Sequence, residues 1–119
     1  MTDVKQLLID TVENAFNYKC YLQNSLSDTE TYPDAFFTYF NNDTFDSAFF
    51  DNNESQTIWD FDLNFYSNDP ALVNSVLVQA KPLLKAAGFI VDGKGYDVLS
   101  NNPLYTGRAL NVLYIEKVR

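Results

Sequence analysis

The sequence has no histidine in its 119 residues. That removes the side chain most often used as a general base near neutral pH, and the most frequent transition-metal ligand. Serine and cysteine nucleophiles are left without the partner that usually activates them. Cysteine occurs once, at Cys20, which closes no internal disulfide and builds no zinc knuckle, so a reducing cytosolic setting is expected. No apolar run approaches the roughly 18 residues of a membrane span. Met1-Thr2-Asp3 leads straight into an amphipathic pattern, and a soluble, untargeted chain is expected. Two glycosylation sequons, Asn42-Asp43-Thr44 and Asn53-Glu54-Ser55, are then chance matches in a polar stretch.

Cations are also scarce, eight against sixteen acids for a formal net charge of -8. A phosphate backbone demands a basic stripe, so direct, sequence-specific nucleic-acid binding is disfavoured. The net value conceals a division along the chain. Thirteen of the sixteen acids but only Lys5 and Lys19 precede residue 81; beyond it Lys81, Lys85, Lys94, Arg108, Lys117 and Arg119 outnumber Asp92, Asp97 and Glu116. An acidic front and a basic back permit head-to-tail contact between copies.

The length fits one domain spanning residues 1–119, which buries roughly two thirds of its unfolded surface around one core. Residues 57 to 67 alternate, with Thr57, Trp59, Phe61, Leu63 and Phe65 on one face and Ile58, Asp60, Asp62, Asn64 and Tyr66 on the other, which predicts a strand packed on one side and wet on the other. Asn68-Asp69-Pro70 then caps a helix with proline at its first position. Its apolar positions are Leu72, Val73, Val76, Leu77, Ala80, Leu83, Leu84 and Ala87, and Gly88 is its left-handed terminator. Pro82 removes one helical bond at about 3 kcal/mol, so a kink or a restart at Lys81 is expected.

An earlier helix begins at Asp3, with Gln6 reaching back to complete a capping box, and carries Val4, Leu7, Leu8, Val12, Ala15 and Phe16 to an end near Asn17. Tyr18, Cys20 and Leu22 suggest a short strand, and residues 35 to 40 a β-rich aromatic one belonging to the core. Residues 41 to 55, polar around Phe45, Phe49 and Phe50, read as a flexible loop or a twisted hairpin tip. Phe89 to Val91 and Tyr96 to Leu99 read as a hairpin around Asp92-Gly93-Lys94-Gly95. A last strand over residues 108 to 116 has apolar residues on both faces and is expected to be central or covered on both sides.

No constellation for catalysis, and no cofactor site, follows. Residues 60 to 64 match the first three ligand spacings of a calcium loop, but Phe65 stands where glycine is needed and Ala71 where a bidentate glutamate is needed. Asp60 and Asp62 project on one side of a strand and would be the carboxylate pair of a metal-dependent hydrolase; a solvated sheet face accounts for them more simply. Aromatic content is more pointed, with ten phenylalanines, eight tyrosines and one tryptophan. Phe45, Phe49 and Phe50 amid Asp and Asn have the composition of a protein interface.

The strand from Trp59 to Tyr66 running into Asn68-Asp69-Pro70, the Gly88-Phe89 helix end, the Asp92-Gly93-Lys94-Gly95 turn and Thr106-Gly107-Arg108 together resemble the small tail-terminator and head-tail connection proteins of long-tailed, siphovirus-type bacteriophages, especially those of Gram-positive hosts. The resemblance covers nearly the whole chain. It implies an α+β fold with a mixed, mostly antiparallel sheet packed by two helices, and a non-enzymatic virion protein. It also implies a homo-oligomeric ring, a hexamer, that caps the finished tail tube in the host cytoplasm and offers a docking face to the head. The partners implied are other copies, the tail tube protein and a head-connector or stopper protein, with DNA passing through an acidic lumen.

Within that expectation the interface residues are Phe45, Phe49, Phe50, Asp51, Asp60, Asp62, Lys94 and Arg108. Residues 41 to 55 are expected to pair with a neighbour or the tube, and Arg108, beside a flexible Gly107, to grip a neighbour's carboxylate. A different class fits the same acids: a monomeric inhibitor that mimics nucleic acid through Asp43, Asp46, Asp51, Asp60 and Asp62 and blocks a host DNA-binding protein.

Overall fold

The computed structural model describes residues 3–22, 33–50, 53–93, 95–98 and 104–117. They form α1 (Val4–Phe16), β1 (Cys20–Leu22), β2 (Ala35–Phe50), β3 (Asn53–Ser67), α2 (Pro70–Ala86), β4 (Ile90–Val91), β5 (Tyr96–Val98) and β6 (Thr106–Lys117). The six strands make one sheet in the order β1-β2-β3-β6-β4, with β5 also beside β6. Only β1 and β2 run parallel; every other pairing is antiparallel. This is the expected α+β architecture, with β6 central as its two-sided apolar pattern requires.

Both helices start at side-chain caps. Asp3 accepts from the Gln6 backbone N–H at 3.1 Å, and Asp69 from that of Ala71 at 3.0 Å. The capping box is not completed, because the Gln6 amide turns to Asp10 at 2.8 Å. Asn17, at φ 63°, ends α1. α2 ends in a Schellman turn: Phe89 N–H donates to Leu84 O and Gly88 N–H to Lys85 O, both at 3.0 Å, with Gly88 at φ 106°. Phe89 and Leu84 are both buried, the apolar contact that accompanies this motif. α2 runs through Pro82 with no restart at Lys81. Val78, whose carbonyl loses its helical donor to Pro82, is half exposed.

The alternation of residues 57 to 67 sets the layers. Phe61, Leu63 and Phe65 of β3, Phe37 and Tyr39 of β2 and Leu110 and Val112 of β6 are buried against Val4, Leu8 and Val12 of α1 and Val73, Val76, Leu77, Ala80 and Leu84 of α2. Each of the Phe, Leu and Val side chains contributes about 1.5–3 kcal/mol by leaving water. Trp59 flanks this core, its ring parallel to that of Phe61 at 6.1 Å. Of the aromatic run in β2, Phe36, Phe37 and Tyr39 are buried as expected but Phe40 is half exposed.

Two expectations change. Residues 92–95 do not turn a hairpin: β4 pairs with Val112 and Leu113, and β5 with Gly107, Arg108 and Ala109, so both run in the same direction along one edge of β6. They are one edge strand interrupted by a bulge. The glycines serve that bulge, since Gly93 and Gly95 take φ 77° and 88°, and a Cβ on Gly95 would fall 2.4 Å from Ala109 O. Of the two readings of residues 41 to 55, a flexible loop or a twisted hairpin tip, the loop gives way: residues 41–50 and 53–55 are antiparallel arms of one ladder. The β2–β3 register runs to Phe50 opposite Asn53, shifting only between Asn41 and Asp43. Asn41 bridges that bulge; in the orientation satisfying every partner its amide nitrogen donates to Asp43 O at 2.8 Å and Asp60 O at 3.0 Å.

Among the described residues β6 pairs with β3 from Thr106 opposite Ser67 to Lys117 opposite Gln56, and the β2–β3 ladder runs to Phe50 opposite Asn53. The molecule measures 53 × 29 × 23 Å with a radius of gyration of 15.4 Å, against about 13.5 Å for a compact chain of this length. Residues 23–32 and 99–103 lie outside the described residues.

Candidate interaction surface

Strand parity puts the helices on one face of the sheet and leaves the other to residues of the opposite phase. Along that second face the register aligns Phe36 with Tyr66 and Gly107, Thr38 with Asn64 and Ala109, Phe40 with Asp62 and Asn111, and Asp43 with Asp60 and Leu113. On the far side of β6, Ala109 meets Tyr96 and Leu113 meets Ile90. One end of this face is closed by aromatics: Phe36 stacks on Tyr66 at 5.5 Å and lies 6.0 Å from Tyr105 and 6.2 Å from Tyr21. Beside it Thr38 and Asn64 are buried and joined by a 3.2 Å hydrogen bond.

The middle of the face is open and acidic. Asn111 Nδ2 donates to Asp60 Oδ1 at 2.7 Å and to Phe61 O at 3.1 Å, and lies 3.5 Å from Asp62 Oδ1. An amide therefore sits between the two carboxylates where a shared metal ion would have to sit. Among the described residues, no group of three or more Asp, Glu or Cys side chains is placed to hold a metal. Burial, then the charge of Asp62 and a hydrogen bond to it, then the charge of Asp60, raise the Tyr96 phenol above its ordinary value. Among the described residues no cation lies within ion-pair distance of Asp60 or Asp62. Around them Phe40, Tyr96, Ile90 and Ile115 stand 47%, 49%, 46% and 38% exposed.

No family model matches the chain, and no curated protein matches it. The surface has to be read from its own geometry.

Of the residues expected at an interface, Asp60 and Asp62 are brought together on the open face. Phe45, Phe49 and Phe50 belong to β2 at register positions opposite Ile58, Glu54 and Asn53. Asp51 and Lys94 lie outside the described residues. Arg108, expected to meet a neighbour's carboxylate, meets one in its own chain: its guanidinium is 2.7 Å from Asp97 Oδ1 and also donates to Gly95 O at 3.1 Å. Nor is Gly107 a hinge, since it is buried and a Cβ there would fall 2.5 Å from the Tyr66 ring. Asn111 and Tyr96 were not anticipated. The trace of the first was present, a lone amide among Ala109, Leu113 and Ile115 in the outward phase of the last strand; Tyr96 reaches Asp62 only because β5 pairs with β6.

No helix among the described residues is long and apolar enough to cross a membrane.

Proposed function

We propose that this protein is a structural assembly subunit of the tail-terminator type. In this reading it is a non-enzymatic virion protein that forms a ring at the head-proximal end of a phage tail tube, stops tube growth and presents the surface to which the head joins. The observation that carries the reading is a part-apolar sheet face that no described element covers, with Phe40, Ile90, Tyr96 and Ile115 exposed on it. A lone domain gains nothing from such a face, because exposed apolar area seeks cover. Contact with other polypeptides supplies that cover.

The test is to mix the purified chain with tail tubes assembled from their tube protein, pellet the tubes, and image them. Occupancy confined to one end of each tube, with tube length fixed by its presence, is the expected result. Absence from the tubes under all ionic conditions, together with salt-sensitive one-to-one binding of a basic DNA-binding protein, would replace this reading with that of a nucleic-acid mimic. The register that sets Asp43 opposite Asp60, next to Asp62, is the feature favouring that second reading.

A further inference from the structure

α2 is unlike the rest of this acidic chain. It contains no aspartate or glutamate, and its charges are Lys81 and Lys85. Its solvent side is formed by Ala71, Asn74, Val78, Gln79, Pro82 and Leu83, with Val78 and Leu83 53% and 43% exposed. An exposed helix side of a monomer ordinarily carries mixed charge; this one sets apolar Val78, Pro82 and Leu83 beside the neutral Asn74 and Gln79, with lysines as the helix's only charges. Lys81 Nζ donates to Gly93 O at 2.7 Å.

This helix side and the acidic sheet face look in opposite directions, because α2 packs on the inward side of β3 and β6 while Asp60 and Asp62 belong to the outward phase. The two surfaces are complementary in both respects: apolar with lysines on one, apolar with carboxylates on the other. We propose that the outer side of α2 in one copy docks on the open sheet face of a second copy, with Val78, Pro82 and Leu83 against Phe40, Leu113 and Ile115, and with Lys81 and Lys85 toward Asp60 and Asp62. A second copy is the occupant that fits, since the chain itself supplies both halves of the match and no other partner need be invoked. Surfaces on opposite sides make the contact heterologous, so it repeats from copy to copy and closes when the rotation allows. The inference rests on the self-assembly reading above and assigns its surfaces.

A charge-swap pair tests it. Lys81→Glu with Lys85→Glu makes both surfaces negative; Asp60→Lys with Asp62→Lys makes both positive. In sedimentation from micromolar to millimolar concentration the native chain is expected to associate and each variant alone to bind itself about a hundredfold more weakly. An equimolar mixture of the two variants is expected to recover association, because each helix side then meets a sheet face of opposite sign. Should the lysine pair at 60 and 62 unfold the chain, Val78→Ser with Leu83→Ser supplies the second readout, the same loss of association with unchanged thermal stability. A native chain that associates while these variants associate equally well overturns the assigned surfaces and leaves self-assembly standing. A native chain monomeric at millimolar concentration overturns the contact, and tube pelleting then decides separately whether the protein still caps tubes.

Discussion

Gly107→Ala isolates a steric contact with almost no conformational component. Gly107 lies in β6 and is not among the glycines with positive φ, so alanine suits its backbone; by chain entropy alone the change would stabilise by about 0.4–1 kcal/mol. The obstacle is the Tyr66 ring. An added Cβ falls 2.5 Å from both Cδ1 and Cε1 of Tyr66 and 3.0 Å from Val98 Cγ2, whereas carbon atoms prefer about 3.5–4.0 Å. Tyr66 is stacked on Phe36, so displacing it disturbs the aromatic end of the sheet as well. Overpacking of this kind destabilises by about 1–3 kcal/mol, which for a domain of this size lowers Tm by about 3–6 °C per kcal/mol. The assay is thermal and urea unfolding of the single variants and of the double variant with Tyr66→Ala. With the ring gone, Gly107→Ala is expected to be neutral or stabilising, giving a coupling energy of about 2–3 kcal/mol. An equal penalty in both backgrounds, or none in the native background, would refute the contact.

Gly95→Ala is expected to be worse still, beyond about 3 kcal/mol, since its Cβ would strike the Ala109 carbonyl at 2.4 Å in a left-handed conformation, while Gly93→Ala meets nothing within 4 Å and costs only about 1–2 kcal/mol for its φ; comparable unfolding midpoints for the two would contradict the bulge. Burial, and then the charge of Glu13, push the Cys20 thiol from 9.0 up to about 12, so a thiol reagent at about pH 8 should label the native chain about a thousandfold more slowly than the unfolded one. The native state keeps the proton here, so this contribution to stability is intact below about pH 9 and is lost as pH rises toward about 12. Arg108→Ala should lower stability by about 1 kcal/mol or less, because Asp97 is 85% exposed and its ion pair is screened; it should leave association unchanged, and a loss of association would return Arg108 to the interface.

The parts of the fold legible in the sequence were those written in local periodicity. Trp59, Phe61, Leu63 and Phe65 on one phase named the packed side of β3, and Asp69-Pro70 and Gly88 named both ends of α2. The errors share one physical cause: pairing between distant segments. Gly93 and Gly95 have the same chemistry whether the chain reverses in a hairpin or bulges within an edge strand, and only the register with β6 decides between them. Asn and Asp in residues 41 to 46 carry low β-propensity, which the hydrogen-bond ladder with β3 overrides. The acidic surface was half visible. Asp60 and Asp62 follow from alternation, but the Asn111 clamp joins residues 49 and 51 apart in the chain, beyond the reach of any motif.

The sheet's edges bear on how copies can meet. From Phe40 onward β2 has no strand on its outer side among the described residues, which would ordinarily invite a second chain to add a strand. That edge is interrupted by the register shift between Asn41 and Asp43 and carries the exposed Asp43, so a symmetry-related copy laid against it would set like charges together on a broken ladder. The opposite edge is broken too, by the bulge between β4 and β5. Bulges and charge are how sheets discourage edge pairing. Exposed apolar side chains stand on both faces, Phe40 and Ile115 on one side and Val78 and Leu83 on the other, besides Leu22 on β1 and Leu104 ahead of β6.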